Sequence, residues 1–458
     1  MNKKIKRIYL DYAASTPVDP AVEKAMWPYF TEKFGNPGSL HSFGQEAMAV
    51  VDESREKIAA AIGADFREII FTGSATEANN LALRGVVRAA RLFSTGTGRS
   101  SAPAAEVALD LSPSRLFASQ KDQARLGSET FRTKTTEPPL RIIISSIEHE
   151  SVLATARDLE KEGAEVIYLP VDKKGFVDLK KLEKALNERT VLVSVMHVNN
   201  EIGAIQPIAK ISEIIGNFRA VGGKRPVKNN SISHFTFPIL HTDVVQSFPY
   251  LDCDVNKLGV DLMTLSGHKI YGPKGIGILY VKNLEFRKQN LAAEKSLNPK
   301  SYILNPFITG GGQEFGLRSG TENVPLIVGF AKAVELAVKN REQESKRIKN
   351  LRDYFWRGLK KIVPKAAING SLINRLPNNL NVFLPGYSAE DLLVRFDLAG
   401  IAVSSGSACS ARSTKLSYVL TAIGCNEKRI KQSLRFTLGK FTGKSQLDEA
   451  LKRIKNLI

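Results

Sequence analysis

Two residues have neighbours suited to nucleophilic chemistry. Lys269 lies in Leu262-Met263-Thr264-Leu265-Ser266-Gly267-His268-Lys269-Ile270-Tyr271-Gly272-Pro273, where an apolar run stops at a serine and a glycine. Gly275 and Gly277 follow, then a second apolar run from Ile278 to Val281. This reads as strand, tight polar turn, strand, with one amine held where the backbone bends. A partly desolvated ammonium loses its proton more easily, which makes Lys269 a candidate Schiff-base nucleophile. Taken alone, a solvated loop lysine accounts for it better. The second residue is Cys409, inside Ser404-Ser405-Gly406-Ser407-Ala408-Cys409-Ser410. Small neighbours leave a thiol accessible, and nearby Arg412 and Lys415 favour the thiolate. A buried small hydrophobe is the ordinary fate of a cysteine, and the polar surroundings argue against it.

The elements that must position these residues alternate between apolar strands and amphipathic helices. Strands are expected at 68–72, 141–145, 165–169, 190–198 and 238–242, with helices at 46–61, after Glu77 through Val87, after Ser151 to Glu162, at 179–187 and at 208–218. That alternation predicts a mostly parallel sheet covered by helices, an α/β fold. Polar residues recur just past the strand ends: Thr76, His149, Asn200, Asp243 and Gln246, then Ser266, His268 and Lys269. In open α/β sheets that edge binds ligands. Gly73-Ser74-Ala75-Thr76-Glu77 also opens a helix after a strand, an anion site through its free N–H groups and dipole. Plain N-capping by Ser74 or Thr76, with Glu77 in the first turn, explains the same residues equally well. Beyond Val334 a long charged helix to about Leu359 leads to a smaller C-terminal part, with a strand at 381–384, a helix at 389–397 and Arg435 in an apolar run.

Together these residues suit an electron-sink cofactor with a phosphate, an aldehyde and a ring nitrogen. The phosphate needs a helix N-terminus, hydroxyls and a cation, for which Thr76, Ser266 and His268 qualify. Lys269 meets the aldehyde. A buried carboxylate, Asp243, keeps the ring nitrogen protonated, while His149 stacks on the ring. Gln246 and Asn200 suit its hydroxyl, and Arg435 suits bidentate capture of a carboxylate. The combination fits pyridoxal 5′-phosphate.

Composition excludes several classes. The 458 residues allow two domains, and 43% hydrophobic with 24% charged residues are the proportions of a soluble globular protein. No apolar run approaches the length of a membrane span. The N-terminus shows no signal-type or presequence-type segment, so a cytoplasmic location is expected. Three cysteines argue against a disulfide framework, and no metal-ligand spacing occurs, so no metal is expected. A net charge of +19 would attract an acidic partner or nucleic acid, but no aromatic-basic recognition motif accompanies it, which disfavours direct nucleic-acid binding. Three stretches, about 93–138, 222–236 and 284–305, break the pattern and read as insertions, the first as a surface loop with a short helix near 114–123.

The chain resembles the cysteine desulfurases of the NifS/IscS type, in the class V branch of fold-type I pyridoxal-phosphate enzymes. The resemblance rests on Tyr9-Leu10-Asp11-Tyr12-Ala13-Ala14 with Thr16-Pro17, Gly35-Asn36-Pro37 with His41, Thr76-Glu77, Glu148-His149, and His197-Val198-Asn199-Asn200-Glu201. It rests also on Asp243 with Gln246, Ser266 to Gly275, Arg318-Ser319-Gly320-Thr321, Ser404 to Cys409, and Arg435 to Gly439. It covers nearly all of the chain except the three insertions. It implies a seven-stranded, mostly parallel sheet in a large domain of residues 17–341. A smaller α+β domain, 1–16 with 342–458, would carry the cysteine loop. Lys269 would hold pyridoxal 5′-phosphate and act as acid and base, with His149 stacking, Asp243 at the ring nitrogen and Gln246 at the hydroxyl. Ala75, Thr76, Ser266 and His268 would bind the phosphate, and Thr321 would reach in from the other subunit of a homodimer. Asn200 and Arg435 would hold the substrate carboxylate. Cys409 would take sulfur from L-cysteine, leave alanine, and pass the persulfide to an acceptor protein for iron–sulfur cluster assembly or tRNA thiolation. A selenocysteine lyase, or another class V lyase or transaminase, is the alternative. Three departures stand out: Gly73-Ser74 reverses the usual Ser-Gly order, Phe315 replaces a polar residue, and Thr414-Lys415-Leu416 follows the cysteine where Leu-Glu-Pro is frequent. The chain also lacks the longer tail that serves scaffold docking in some members.

Overall fold

Short runs rich in Ile, Val and Leu, apolar on both faces, form strands only where both faces are covered. Here they form the central sheet of a computed structural model that describes residues 7–94, 138–221, 236–282, 304–406 and 416–458. The helix expected near 114–123, most of the three insertions, and Cys409 with Arg412 and Lys415 lie outside the described residues.

The first strand, β1 (Ile8–Tyr9), stands apart from the main sheet. β2 (Ile69–Thr72), β3 (Arg141–Ser145), β4 (Glu165–Leu169), β5 (Thr190–Ser194), β6 (Ile239–Asp243), β7 (Leu262–Ser266) and β8 (Gly277–Val281) make one seven-stranded sheet in the order β2-β8-β7-β6-β5-β3-β4. β7, β6, β5, β3 and β4 run parallel, while β8 is antiparallel to both neighbours. The sheet is therefore mostly parallel, as expected. The reversal follows from the short β7–β8 connection, which cannot make the crossover that parallel strands need. β6, β7 and β8 are buried throughout.

Helices cover both faces. Ser42–Ile62 and the long helix Val324–Ile362 pack on one side, sharing a core with Phe71, Ile143, Val193 and Leu265. Ala75–Ser94 and Glu150–Lys161 pack on the other, against Ile142, Ile144 and Leu192. The long helix starts ten residues before Val334, because Pro325 lies in its first turn, where a missing N–H costs nothing.

A further core draws on both chain ends. β9 (Ala367–Ile368), β10 (Asn379–Phe383) and β12 (Ser433–Thr437) form an antiparallel sheet in the order β12-β10-β9. β11 (Ile401–Ala402) pairs in parallel with β1. Ile8 and Leu10 are buried among Phe355, Phe396, Leu434 and Phe436. This ties the N-terminal segment to elements near the C-terminus and places the turn after Leu10 over the strand ends of the large sheet.

Candidate active site

Each strand end delivers its residue through a local device. After β2, Ser74 caps the helix that follows: the Glu77 N–H donates to Ser74 Oγ at 3.2 Å, and the Gly73 N–H, one residue before the cap, donates to Glu77 Oε2 at 2.8 Å. Arg318 Nε holds the other Glu77 oxygen at 2.9 Å. The capping explanation of these residues is thus realised. These bonds occupy the Gly73 and Glu77 N–H groups, while Ala75 and Thr76 stand in the first turn of the helix. Gly277 lies against this corner. A Cβ there would stand 2.8 Å from the Leu265 carbonyl oxygen and 3.0 Å from the Ala75 nitrogen, so only glycine lets β8 pass the helix N-terminus.

After β3, His149 itself caps the helix Glu150–Lys161. Its Nδ1 accepts from the Ser151 N–H at 3.1 Å and lies 2.8 Å from Ser151 Oγ. A backbone N–H can only donate, so Nδ1 is the acceptor and the ring proton belongs on Nε2. The network continues: Asn79 Nδ2 donates to Ser151 Oγ at 2.8 Å and to Asp243 Oδ2 at 3.0 Å. The Val245 N–H holds Asp243 Oδ1 at 2.9 Å. His149 and Asp243 are therefore two ends of one hydrogen-bonded set, with buried Asn79 at its centre. Asn79 was not read from the sequence. Its signal is an amide on the apolar stripe of a helix, between Ala78 and Leu81.

Glu148, next to His149, is fully buried. Ser145 Oγ and the Met196 N–H donate to its Oε1 at 2.6 and 2.7 Å. Burial pushes its carboxyl up to about 8, and the nearby charge of Asp243 adds to this. Tyr418 hydroxyl donates to the Glu148 carbonyl oxygen at 2.6 Å, fixing the chain just past residue 415 to the strand end that carries His149.

After β7, the turn Gly267–Lys269 presents the lysine. Lys269 Nζ donates to the carbonyl oxygens of Ala13 and Ala14, both at 2.6 Å. Gln246 Nε2 donates to the same Ala13 oxygen at 3.1 Å. Thr16 N and Oγ1 bind the His268 carbonyl at 2.9 and 3.0 Å, and the Tyr271 N–H donates to Thr16 Oγ1 at 2.8 Å. These bonds over-determine the bend and hold Tyr271 at a left-handed φ of 65°. Burial lowers His268 to about 4, with the charges of Lys269, Lys274 and His149 acting in the same direction. His268 Nδ1 lies beside Ser15 Oγ at 3.4 Å. Ser266 Oγ is buried and donates to the Ile276 carbonyl at 3.4 Å.

Arg435 enters from β12. Its Nη1 donates to the Asn200 carbonyl at 3.0 Å and its Nη2 to Asp11 Oδ1 at 2.8 Å. Asn200 Oδ1 and Arg435 Nε are buried with no partner among the described residues. Thr321 is exposed, beyond Gly320, whose N–H is held by Gln313. The structure therefore brings Lys269, Gln246, Asp243, His149, Asn200 and Arg435 to one edge of the sheet, with the turn 11–16 across it, and leaves Thr321 at the surface. Phe315, the second departure, stacks on the buried guanidinium of Arg55 at 5.0 Å. Among the described residues no group of His, Cys, Asp or Glu could hold a metal, and no helix is long and apolar enough to cross a membrane.

Known proteins are similar to this chain in sequence and fold. The class-V aminotransferase family model matches residues 8–97 and 128–449, leaving 98–127, inside the first insertion, unmatched. The cysteine desulfurase IscS of Dictyoglomus turgidum is 39% identical over 453 residues, 99% of this chain and 95% of its own. Cysteine desulfurase IscS 1 of Archaeoglobus fulgidus is 39% identical over 450 residues, 98% of this chain and 96% of its own. A solved structure titled NifS-like protein superposes with a TM-score of 0.76 at 32% identity, covering 98% of this chain and 99% of that one. Matched from β1 to its last helix, the chain belongs to the class-V aminotransferase family, in its cysteine desulfurase group.

Proposed function

We propose that this enzyme removes the sulfur of L-cysteine, with Cys409 as acceptor, Lys269 as the acid and base, and Arg435 with Asn200 as the substrate anchor. The observation that carries the reading is the shared Ala13 carbonyl, which brings the Lys269 amine and the Gln246 amide together beside the Asp243–Asn79–Ser151–His149 set.

The residues suit pyridoxal 5′-phosphate. The first-turn N–H groups at Ala75 and Thr76, the clearance at Gly277, Ser266 and His268 would take its phosphate. Asp243 would face the ring nitrogen, His149 the ring, Gln246 the ring hydroxyl and Lys269 the aldehyde carbon. When bound, that group draws electron density away from the substrate α-carbon. The protein supplies the rest. The Asn79 amide and the Val245 N–H hold the Asp243 carboxylate in position to face the ring nitrogen. Ser151 sets the His149 tautomer, so its Nε2–H can hand a proton to the substrate. Lys269 Nζ moves the proton of the α-carbon. The Cys409 thiolate attacks the substrate sulfur and the carbon–sulfur bond breaks. Its electron pair stays with the carbon, which takes a proton to give L-alanine, and the sulfur remains on Cys409 as a persulfide. The other two thiols are poor candidates: burial pushes Cys253 up to about 12 and raises Cys425.

Thr321 at the surface supports a homodimer in which it completes the neighbouring site. A protein acceptor for the persulfide and a cytoplasmic location complete the proposal. Mass spectrometry of Cys409 after incubation with L-cysteine should find one added sulfur. Lys269→Ala should lose the visible absorbance of the bound cofactor. Cys409→Ser should keep that absorbance and lose sulfide release; full sulfide release by this variant would refute the persulfide route.

A further inference from the structure

One short turn, Asp11 to Thr16, touches both working ends of the site. Its carbonyls hold Lys269 and Gln246, and its first side chain holds Arg435. The Arg435 side chain is 1% exposed, whereas that of Asp11 is 15% exposed, so the carboxylate lies on the solvent side of the guanidinium. A carboxylate grips a guanidinium with two bonds either end-on, through Nη1 and Nη2, or side-on, through Nε and Nη2. Both grips use Nη2, the nitrogen that Asp11 occupies at 2.8 Å. Nη1 is committed to the Asn200 carbonyl, and Nε is buried without a partner among the described residues. One positive charge thus faces one negative charge before any ligand is counted. A second carboxylate must either displace Asp11 or stand beside it, and like charges at that separation repel in a poorly solvated site.

We propose that Asp11 is a specificity-determining residue: it competes with the substrate carboxylate for Arg435 and so sets how strongly the site binds carboxylates. The proposal rests on the reading of Arg435 as the carboxylate anchor. By neutralising Arg435, Asp11 weakens the site for simple carboxylates that make no other contact. An amino acid that also engages the cofactor can still displace it. The exchange would move the turn that carries Ala13 and Ala14, coupling occupation of Arg435 to the hydrogen bonds on Lys269.

The test is equilibrium binding to the holoenzyme, by calorimetry, of two probes: 3-mercaptopropionate, which has the carboxylate but no amine, and cysteamine, which has the amine but no carboxylate. Asp11→Asn should bind 3-mercaptopropionate roughly tenfold more tightly, because the charge of Arg435 is then no longer neutralised, and should bind cysteamine unchanged. Asp11→Ser, which also removes the charge but keeps an acceptor, should show the same tightening, so the test survives if one variant fails to fold. Asp11→Glu should not tighten binding. Arg435→Gln should weaken 3-mercaptopropionate selectively. If it weakens both probes equally or neither, Arg435 is not the carboxylate anchor and the proposal falls with that reading. If Arg435→Gln discriminates but neither uncharged variant at position 11 tightens binding, the anchor stands and the role of Asp11 is overturned.

Discussion

Arg55 and Arg435 are both buried and both face carboxylates, and they are held in opposite ways. Arg55 grips Glu314 with two bonds, 2.7 and 2.9 Å, and both side chains are almost wholly buried. Glu314 Oε2 also takes the Phe71 N–H at 2.8 Å, and the guanidinium lies between the rings of Phe71 and Phe315. Arg435 has a single bond to Asp11, with the carboxylate turned toward solvent. A saturated pair is a clasp, here tying the helix Ser42–Ile62 and β2 to the loop before the long helix. A pair with one bond and an open side can exchange partners. The number of bonds on the carboxylate, more than the burial of the arginine, separates structure from function.

Breaking the clasp should have the largest effect. Glu314→Gln strands a buried guanidinium and should cost about 3–5 kcal/mol in denaturant unfolding, while the refolded holoenzyme keeps its cofactor absorbance. A third buried carboxyl extends the contrast, because Glu148 has no arginine and is driven neutral instead. Its folded value of about 8 lies above its ordinary 4.5, so the native state keeps a proton that the unfolded chain releases. Stability from this group is full below pH 4.5 and is lost as pH rises through about 8. Buried His197 and His241 work in the other direction, held down to about 4 and about 3, so their stability is lost as pH falls below their ordinary 6.5. Between pH 6.5 and 8.5 the melting temperature should therefore fall by several degrees, and Glu148→Gln should flatten that decline. Asp11→Asn should cost less than about 2 kcal/mol, since the amide oxygen still accepts from Arg435. A loss as large as that of Glu314→Gln would mean that this pair, too, is a clasp. The smallest effect belongs to Phe315→Leu, about 1 kcal/mol for the lost ring–cation contact, read by the same unfolding curves.

The sheet-edge residues were legible because each lies where an apolar strand ends: Thr76, His149, Asn200 and Lys269 follow β2, β3, β5 and β7, and Asp243 is the last residue of β6. Cys409 and Arg435 were legible from their own neighbours, and the resemblance added Thr321. What supports them was not legible. Ala13 and Ala14 act through backbone carbonyls, which no side-chain pattern reveals. Asp11 and Arg435 are 424 positions apart, and nothing local marks either as the other's partner. Asn79 interrupts an apolar stripe, and Glu148 was read only as part of a motif. The downward shift of His268 follows from burial and neighbouring charges, which exist only once the chain has folded.

The stitching of β1 to β11, and of Leu10, Tyr12 and Ala13 to Thr437, has a consequence for how the enzyme comes into being. A chain emerging from the ribosome has its first sixteen residues hundreds of positions before the strand that receives them. The large sheet can assemble as soon as β8 has been made. The turn that holds Lys269 gains its anchor at Thr437 only when that residue has been made. Until then the arginine has not been synthesised either, so the assembled site arises late in synthesis.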